Sequence, residues 1–353
     1  MKKIVLTGGG TAGHVTPNIA LLPELKKAGY EIYYIGSYEG IEKGLIEDQG
    51  IPYKGIATGK LRRYFDFKNF TDFFRVIKGY NEAKAILKEI KPDVVFSKGG
   101  FVSVPVVRAA AKFNIPCVLH ESDMTPGLAN KICIPVATKI CCNFPETVKI
   151  LPEGKAVLTG SPIRKELMDG KKEAGLELCG FTSDKPVLMI IGGSQGAQSI
   201  NETVRESLPK LLDKFQICHL CGKDKVDNMM LNIEGYRQFE YIKDELKDLF
   251  AMADIVISRA GANAICEILE LNIPNVLIPL SSGSRGDQVL NAESFEEQGF
   301  SAVVKEEALD PSMLVETIMN VYEKRDEYIA TMKKSMELNP TEKILEIINE
   351  SIK

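Results

Sequence analysis

The sequence predicts an α/β protein made of two domains, each built on a parallel sheet. Short apolar runs alternate with helical patterns along the chain, which is typical of βαβ units. A glycine-rich turn follows an apolar run twice: residues 8–13 follow Ile4–Leu6, and residues 192–196 follow Val187–Ile191. Because the same build appears once in each half, we expect two similar sheets that face each other across a cleft.

Length and composition fit this class. The chain has 353 residues, enough for two domains of ordinary size. Its 44% hydrophobic and 26% charged residues are typical of a globular protein with a sizeable core. The net charge of -4 argues against a nucleic-acid partner. No apolar run approaches the roughly 18 residues of a membrane span or forms a signal peptide. We therefore expect the protein to stay in the cytoplasm.

The domain boundary is predicted at Gly160-Ser161-Pro162, where proline fixes a turn and glycine frees it. The first domain is expected over residues 1–161 and the second over 162–338. A last helix within 339–353, capped by Thr341 behind Pro340, is expected to pack back on the first domain.

The individual strands follow from the apolar runs, several of which end in small residues where a Rossmann-like sheet has its ligand crevice. In the first half, strands are expected at Ile4–Leu6, Glu31–Ile35, Val94–Phe96, Cys117–Leu119, Lys139–Cys142 and Ala156–Thr159; in the second half, at Val187–Ile191, Ile217–Leu220, Phe239–Ile242, Ile255–Ser258 and Asn275–Ile278.

The first glycine turn is a candidate phosphate site. The backbone N–H groups that open a helix lack partners within it, and they carry partial positive charge. Its G-x-G-x-x-G spacing also fits a dinucleotide fold, but the second strand ends in Gly36-Ser37 without the acid that would hold a ribose. His14, at the end of the turn, suits proton transfer near neutral pH, although a purely structural histidine is the alternative.

Further polar side chains follow predicted strands. Glu121 and Asp123 come after one strand, in the run His120-Glu121-Ser122-Asp123, and act either in a site or as structural hydrogen-bond partners. Arg259 follows another strand, where its charge could stabilise a diphosphate. Gln288 and Asn291 share one face of a later helix, and amides both donate to and accept from sugar hydroxyls.

Eight cysteines are scattered over the chain and are expected to be buried small hydrophobes. Cys218-His219-Leu220-Cys221 has the spacing of metal ligands, but no second pair completes a set of four. No Asp-x-Asp triplet occurs in the sequence. We expect neither a metal nor a cofactor.

The segment from Lys60 to Lys78 interleaves aromatic and basic residues, which suits an anionic membrane surface. An ordinary helix with phenylalanines in the core and basic residues in water is an equal alternative. The predicted membrane patch consists of Phe67, Phe70, Phe73, Phe74, Arg62, Arg63, Lys68 and Arg75.

Several runs together resemble one family, MurG, which adds N-acetylglucosamine to undecaprenyl-diphospho-N-acetylmuramoyl-pentapeptide. They keep the family's order across almost the whole chain. The matching runs are Gly9-Gly10-Thr11-Ala12-Gly13-His14-Val15, Gly99-Gly100-Phe101-Val102-Ser103, His120-Glu121-Ser122-Asp123, Gly160-Ser161-Pro162-Ile163-Arg164, Gly192-Gly193-Ser194-Gln195-Gly196, Ser258-Arg259-Ala260-Gly261-Ala262, Glu267, and Asp287-Gln288-Val289-Leu290-Asn291-Ala292.

The resemblance implies the glycosyltransferase-B fold and an inverting transfer from UDP-N-acetylglucosamine to the C4 hydroxyl of the lipid-linked muramoyl acceptor. The site would serve peptidoglycan synthesis, and hence cell shape and division, at the cytoplasmic face of the cell membrane. His14 is the first candidate for the base, with Asp123 or Glu121 second. The donor contacts that the resemblance implies are Thr11, Ala12, Gly13, Arg164, Ser194, Gln195, Ile242, Glu267 and Gln288.

Three other functions stay open from the sequence. A UDP-N-acetylglucosamine 2-epimerase would share the architecture and the donor, but it would have no lipid acceptor to explain the membrane patch. An NAD-binding oxidoreductase would use the first glycine turn, against which the missing acid argues. A non-catalytic nucleotide-sugar sensor would leave His14 without a role.

Overall fold

The computed structural model describes residues 1–59, 68–193, 195–281, 286–335 and 339–352, with only the helical backbone for 68–73. The chain divides into two compact units. The first comprises Met1–Arg164 and Leu338–Lys353, and the second comprises Lys165–Glu337. In the described residues each unit has a parallel sheet covered by helices, so the predicted pair of α/β domains is confirmed.

The first unit carries, in its described residues, a seven-stranded sheet in the order β3-β2-β1-β4-β5-β6-β7. Every neighbouring pair is parallel. The strands are β1 (Lys3–Thr7), β2 (Glu31–Ser37), β3 (Tyr53–Ile56), β4 (Val94–Ser97), β5 (Cys117–Glu121), β6 (Lys139–Cys142) and β7 (Ala156–Leu158). The helices are α1 (Thr16–Lys27), α2 (Ile41–Glu47), α3 (Lys68–Ile90), α4 (Ser103–Lys112), α5 (Leu128–Cys133), α6 (Pro145–Ile150) and, from the end of the chain, α14 (Pro340–Ser351).

The described part of the second unit repeats this plan with six parallel strands in the order β10-β9-β8-β11-β12-β13. The strands are β8 (Val187–Ile191), β9 (Gln216–Leu220), β10 (Tyr236–Phe239), β11 (Ile255–Ser258), β12 (Asn275–Leu277) and β13 (Ala302–Val303). The helices are α7 (Lys172–Cys179), α8 (Gln198–Leu211), α9 (Leu246–Met252), α10 (Ala262–Glu270), α11 (Asp287–Glu297), α12 (Pro311–Glu323) and α13 (Arg325–Ser335).

Alternation along the central strands explains how both faces of each sheet are covered. In β1, Val5 joins one core with residues of α3, α4 and α5, whereas Ile4 and Leu6 join the other with residues of α1 and α14. All three side chains are fully buried. A strand buried on both faces reads as a continuous apolar run, which is why the central strands were visible in the sequence.

Helix α14 lies against the first unit, where Ile344 and Ile348 are fully buried beside α1. Its polar end is fixed by the Tyr30 hydroxyl, which donates to Asn349 Oδ1 at 2.7 Å. The predicted cap was wrong. The N-cap is Asn339, whose side chain accepts from the backbone N–H of Thr341, and Pro340 occupies the first helical position that suits it.

The sequence prediction erred at the edges of the sheets. Strands β3 and β13 were missed, and the strand predicted at Phe239–Ile242 lies at Tyr236–Phe239. All three are edge strands. An edge strand is paired on one side and is shorter and less apolar, so its pattern is weak. Within the described residues no helix is long and apolar enough to cross a membrane.

Candidate active site

The first glycine turn connects β1 to a 3-10 turn over Ala12–His14, which leads into α1. Gly10 has a φ of +87°, which favours glycine. Gly9 packs directly against the Gly99-Gly100 pair that follows β4, because a Cβ on Gly100 would overlap the Gly9 carbonyl oxygen. The close approach of the two turns after β1 and β4 therefore requires the absence of a side chain.

The N–H groups of this turn are not all available to a phosphate, contrary to the simplest expectation from sequence. Gly10 donates to Glu42 Oε2 at 3.2 Å. His14 N–H donates to Thr11 O at 3.1 Å, and Val15 N–H to Ala12 O at 2.9 Å. Two N–H groups of this stretch therefore donate to its own carbonyl oxygens, and a third donates to the Glu42 carboxylate.

His14 is half-buried at the end of the turn, and its Nδ1 lies 3.1 Å from Thr11 Oγ1. The ring is also near the Gly99-Gly100 pair: a Cβ on Gly99 would lie 3.7 Å from His14 Cδ2 and 3.5 Å from Asn130 Oδ1. Asn130 is buried, and the described residues offer its Oδ1 no hydrogen-bond partner. The structure therefore brings His14, Thr11 and Asn130 around one point of the first unit.

Glu121 is used by the backbone of its own loop. Its buried carboxylate accepts from Ser122 N at 3.0 Å, Asp123 N at 3.2 Å and Gly127 N at 3.0 Å. Asn130 Nδ2 donates a fourth bond at 2.8 Å. Burial raises the pKa of Glu121 more than these hydrogen bonds lower it. A carboxylate with four donors holds a loop well and is a poor base, whereas Asp123 is only half-buried.

His120 is fully buried on β5, so it supports the site from behind. Its Nε2 lies 3.0 Å from Gly160 O, and its Nδ1 lies 2.9 Å from Lys98 Nζ, which also contacts Ser122 Oγ. These contacts fit a neutral ring that donates from Nε2 and accepts at Nδ1. Burial and the Lys98 charge lower the pKa of His120 well below its usual value.

The second glycine turn, between β8 and α8, repeats the packing of the first. A Cβ on Gly196 would overlap the carbonyl oxygen of Cys221, and Gly222 lies against Gly196 in the same way. Lys225 Nζ donates to Gly196 O at 3.3 Å. Gln195 is exposed in the turn before α8, and the predicted contact Ser194 lies outside the described residues.

Arg259 is built into the second unit by an ion pair. Its guanidinium lies 2.5 Å from Glu306 Oε1, donates to Ser199 Oγ at 3.2 Å and donates to Ile278 O at 3.0 Å. Burial alone would raise the pKa of Glu306, but the bonds from Arg259 and Ser199 outweigh it and lower the pKa to about 2. Because Glu306 also accepts from Ser281 N, this pair ties α8, β11 and the loop after β12 together.

The two predicted amides of α11 hold nearby turns. Gln288 Oε1 accepts from Leu280 N at 3.0 Å. Asn291 is fully buried and donates to Ala260 O at 3.2 Å, so it fixes the turn that starts α10. Glu267 lies on α10 one turn after Asn263, as the spacing predicted. Ile242 is half-buried and packs against the core of its unit, and Arg164 ends the first unit.

Cys218 and Cys221 lie buried on and just after β9 rather than at an open site. His219 between them pairs with the Tyr236 hydroxyl at 2.9 Å and with Asn201 Oδ1 at 3.0 Å. The described ranges hold no group of three or more His, Cys, Asp or Glu residues that could bind a metal ion.

The aromatic and basic segment is described only in part. Arg62, Arg63 and Phe67 lie outside the described residues, and Lys68, Phe70 and Phe73 fall on α3 without described side chains. Phe74 and Ile77 on α3 are exposed, with 57% and 43% of their surfaces open to solvent. Beside Ile77 lies a groove of about 560 Å³ between α3 and α4, and its lining includes Arg108 and Lys112.

Sequence reasoning missed three charged residues around the glycine turns: Glu42, Lys98 and Lys225. None belongs to a motif for a charged ligand-binding residue. Glu42 lies five residues beyond the end of β2, whereas a ribose-binding acid is expected at the end of that strand. Glu42 and Lys225 bond to backbone atoms of the turns and Lys98 to the side chains of His120 and Ser122, and only the fold brings these partners near.

Comparisons with known proteins match both halves of the chain to glycosyltransferases. The family model for the glycosyltransferase family 28 N-terminal domain matches residues 4–142, and that for the C-terminal domain matches residues 187–348. A protein from Lachnospira eligens is 62% identical over the full length of both chains and is named UDP-N-acetylglucosamine--N-acetylmuramyl-(pentapeptide) pyrophosphoryl-undecaprenol N-acetylglucosamine transferase.

Two solved structures bear on the alternatives. The crystal structure of Acinetobacter baumannii MurG superposes with a TM-score of 0.80 at 25% identity, covering 99% of this chain and 100% of that one. A putative UDP-N-acetylglucosamine 2-epimerase from Listeria monocytogenes has a TM-score of 0.72 at 12% identity, covering 98% and 95%. The second likeness shows the fold alone.

Proposed function

This chain belongs to glycosyltransferase family 28 and to its MurG members, and from that membership we propose that it transfers N-acetylglucosamine from UDP-N-acetylglucosamine to undecaprenyl-diphospho-N-acetylmuramoyl-pentapeptide. The observation that carries the proposal is identity of 62% over the whole of both chains with a transferase of that name. The epimerase alternative is not favoured, because its likeness stops at the fold.

The proposed chemistry is an inverting displacement. The C4 hydroxyl oxygen of the muramoyl sugar attacks C1 of N-acetylglucosamine from the face opposite UDP. The bond from C1 to the phosphate oxygen breaks, and UDP leaves with that electron pair. A base must take the hydroxyl proton during the attack.

His14 is the proposed base. The proposal needs the tautomer whose Nδ1–H donates to Thr11 Oγ1, 3.1 Å away, because the lone pair that accepts the proton is then on Nε2. Its half-buried position and its nearness to Gly99 and Asn130 suit a residue that receives a substrate. Asp123 is the second candidate. Glu121 is better suited to holding the loop that presents Asp123, because four donors occupy its carboxylate.

The second unit is proposed to hold the donor. The helix N-termini of α8 and α10 can stabilise the diphosphate of departing UDP without a chelated metal. Arg259 is proposed to position these helices through Glu306 and Ser199 rather than to move freely toward the phosphates. The proposed donor contacts are Arg164, Ser194, Gln195, Ile242, Glu267 and Gln288, with Asn291 acting through the turn that it holds. Thr11, Ala12 and Gly13 of the first glycine turn are proposed to contact the reacting sugar end of the donor and not its UDP.

Peripheral binding to the cytoplasmic face of the cell membrane is proposed through the first unit. That unit has 25 Lys and Arg against 18 Asp and Glu, a net charge of +7, whereas the second has 19 against 30, a net charge of -11. Basic residues favour anionic lipid surfaces. Exposed Phe74 and Ile77, beside an apolar groove with Arg108 and Lys112, add the apolar contact that such binding needs.

The test is incubation of the protein with labelled UDP-N-acetylglucosamine and a lipid-linked muramoyl acceptor, with and without a chelator. We expect a labelled disaccharide-lipid product at the same rate in both arms, and a labelled product of inverted configuration. Label recovered as UDP-N-acetylmannosamine would instead support the epimerase, and no acceptor-dependent product would refute the transfer.

A further inference from the structure

Glu42 is a fully buried carboxylate directly beneath the first glycine turn. Its Oε2 accepts from Gly10 N at 3.2 Å. Its Oε1 accepts from Ser37 N at 3.0 Å and from Ser37 Oγ at 2.5 Å. The side chain therefore joins the turn after β1 to the turn after β2, using both oxygens as acceptors.

The space for this carboxylate exists only because the surrounding residues are glycines. A Cβ on Gly9 would lie 2.5 Å from Glu42 Cδ, and a Cβ on Gly36 would lie 2.9 Å from Glu42 Cγ. A Cβ on Gly40 would overlap Oε2. Burying a carboxylate is costly unless it is fully hydrogen-bonded. A group placed at such cost, in a space shaped for it, points to a role beyond filling the core.

The glycine turn is held on its other side as well. Gly9 lies between the Glu42 carboxylate and Gly100, whose missing Cβ admits the Gly9 carbonyl oxygen. The next residues lead to the 3-10 turn in which His14 N–H donates to Thr11 O and His14 Nδ1 lies beside Thr11 Oγ1. The position of Gly9 and Gly10 thus sets the position of the His14 ring.

We propose that Glu42 is a positioning residue for the transfer: its buried carboxylate fixes the first glycine turn so that His14 meets the acceptor hydroxyl. This inference rests on the proposed function, with His14 as base. Glu42 does not touch substrate. It acts through the backbone of Gly9 and Gly10.

The Glu42→Gln variant tests this directly. A carboxamide has one accepting oxygen, and its NH2 group would face either the Gly10 N–H or the Ser37 N–H, so the turn must shift. A misplacement of this kind costs up to about 10²-fold in rate. We expect kcat to fall by a factor between about 10 and about 10². The dissociation constant for UDP should stay within about twofold, because UDP is proposed to bind the second unit.

Ser37→Ala is the matched control. It removes one donor from Oε1 and leaves the Gly10 bond intact, so it disturbs the same buried group without releasing the glycine turn. We expect its kcat to stay within about threefold of wild type, because no positioning contact to the turn is lost. Equal losses of kcat in the two variants would show a general packing effect and overturn the proposal.

A double-mutant cycle separates positioning from stability. If Glu42 acts through His14, Glu42→Gln should cost little in a His14→Ala background, whereas a purely structural role would cost the same factor in both backgrounds. Glu42→Asp, which keeps the charge and both acceptors, is carried through the same cycle and decides the matter if the glutamine variant does not fold. Wild-type protein that forms no product would refute the proposed function; an additive cycle with active wild type would refute only the role of Glu42.

Discussion

The two glycine turns share one construction, but side chains of opposite charge hold them. Each follows a central strand of its sheet, and each packs against a glycine after another strand, Gly100 in the first unit and Gly222 in the second. Behind the first turn, the Glu42 carboxylate accepts from the Gly10 N–H. Behind the second, the Lys225 ammonium donates to the Gly196 carbonyl oxygen.

This difference assigns the turns to different tasks. A carboxylate behind a turn occupies an amide and adds negative charge, which disfavours a phosphate, whereas an ammonium bonded to a carbonyl oxygen occupies no amide and adds positive charge. We therefore propose the second turn as the diphosphate site and the first as the support of a proton-transfer residue. Glycine spacing in the sequence indicates where two backbone segments pack closely. The charge of the side chain behind the turn determines whether the turn favours a phosphate.

The largest expected effect on kcat comes from removing His14, the proposed base at the end of the first turn. His14→Ala should lower kcat by at least ~10², because general bases usually contribute that much. The measurement is acceptor-dependent product formation under saturating donor. Thr11→Val, which removes the partner of His14 Nδ1 and leaves the ring, should lose less. A His14→Ala enzyme within tenfold of wild type would end the assignment of His14 as base.

A smaller effect should follow from removing the charge behind the second turn. Lys225→Met should raise the KM for UDP-N-acetylglucosamine by about tenfold, the equivalent of one charge-assisted interaction, with a smaller change in kcat. Inhibition by UDP should weaken in parallel. Lys223→Met, two residues away and exposed, is the control and should leave both constants unchanged. If the two variants behave alike, the contrast between the turns is not electrostatic.

Much of the fold was predictable because the central strands are buried on both faces. β8, β11 and β6 lie at the predicted residues, and their apolar runs end where the structure ends them. The edge strand β3 was invisible because Lys54 and Gly55 interrupt its pattern. Likewise the cap of α14 went to Asn339, one residue before the proline, because proline is favoured inside the first turn.

The candidate site could be proposed from the sequence as far as its residues lie in strand-end motifs. His14, Glu121 and Arg259 were found in this way, but their partners were not: Glu306, which neutralises Arg259, lies 47 residues further along the chain. Glu121 illustrates the difference between a motif and a role. Its position after the predicted strand Cys117–Leu119 suggested a base, but the structure places it at the end of β5, where its carboxylate has four backbone and amide donors.

The contrast in net charge between the units leads to a binding prediction. Full-length protein should bind vesicles containing anionic lipid, and the binding should weaken as NaCl is raised from about 0.05 to about 0.5 M. Replacing Phe74 and Ile77 with serine should weaken it by roughly fivefold, because apolar contact adds to the electrostatic attraction. Met229→Ser, at an exposed apolar residue of the second unit, is the matched control. Equal binding by both variants would exclude this face of α3 as the contact.

The smallest expected effect concerns stability in acid, because the pKa shifts of half-buried Glu306 and buried Glu121 have opposite signs. Arg259 and Ser199 hold the pKa of Glu306 at about 2 against the raising effect of burial. Its stabilisation is therefore complete above the unfolded pKa near 4.5 and is lost as the pH falls from there toward 2. The pKa of Glu121 is raised by burial, so ionising it as the pH rises costs stability instead.

Glu306→Gln tests this sign. The free energy of unfolding of the second unit should be lower in the variant by about 1 kcal/mol at neutral pH, a value reduced for partial exposure of the pair. The gap should narrow as the pH falls from about 4.5 toward 2. Burial and the Arg205 charge lower the pKa of His219 to about 3. Keeping this ring neutral therefore costs both proteins folding stability as the pH falls below about 6.5. Its contribution cancels when the two denaturation series are subtracted. A gap that stays constant down to acid pH would mean that Glu306 stabilises the unit by packing alone, and that the charge pairing around Arg259 does not distinguish the second unit from the first.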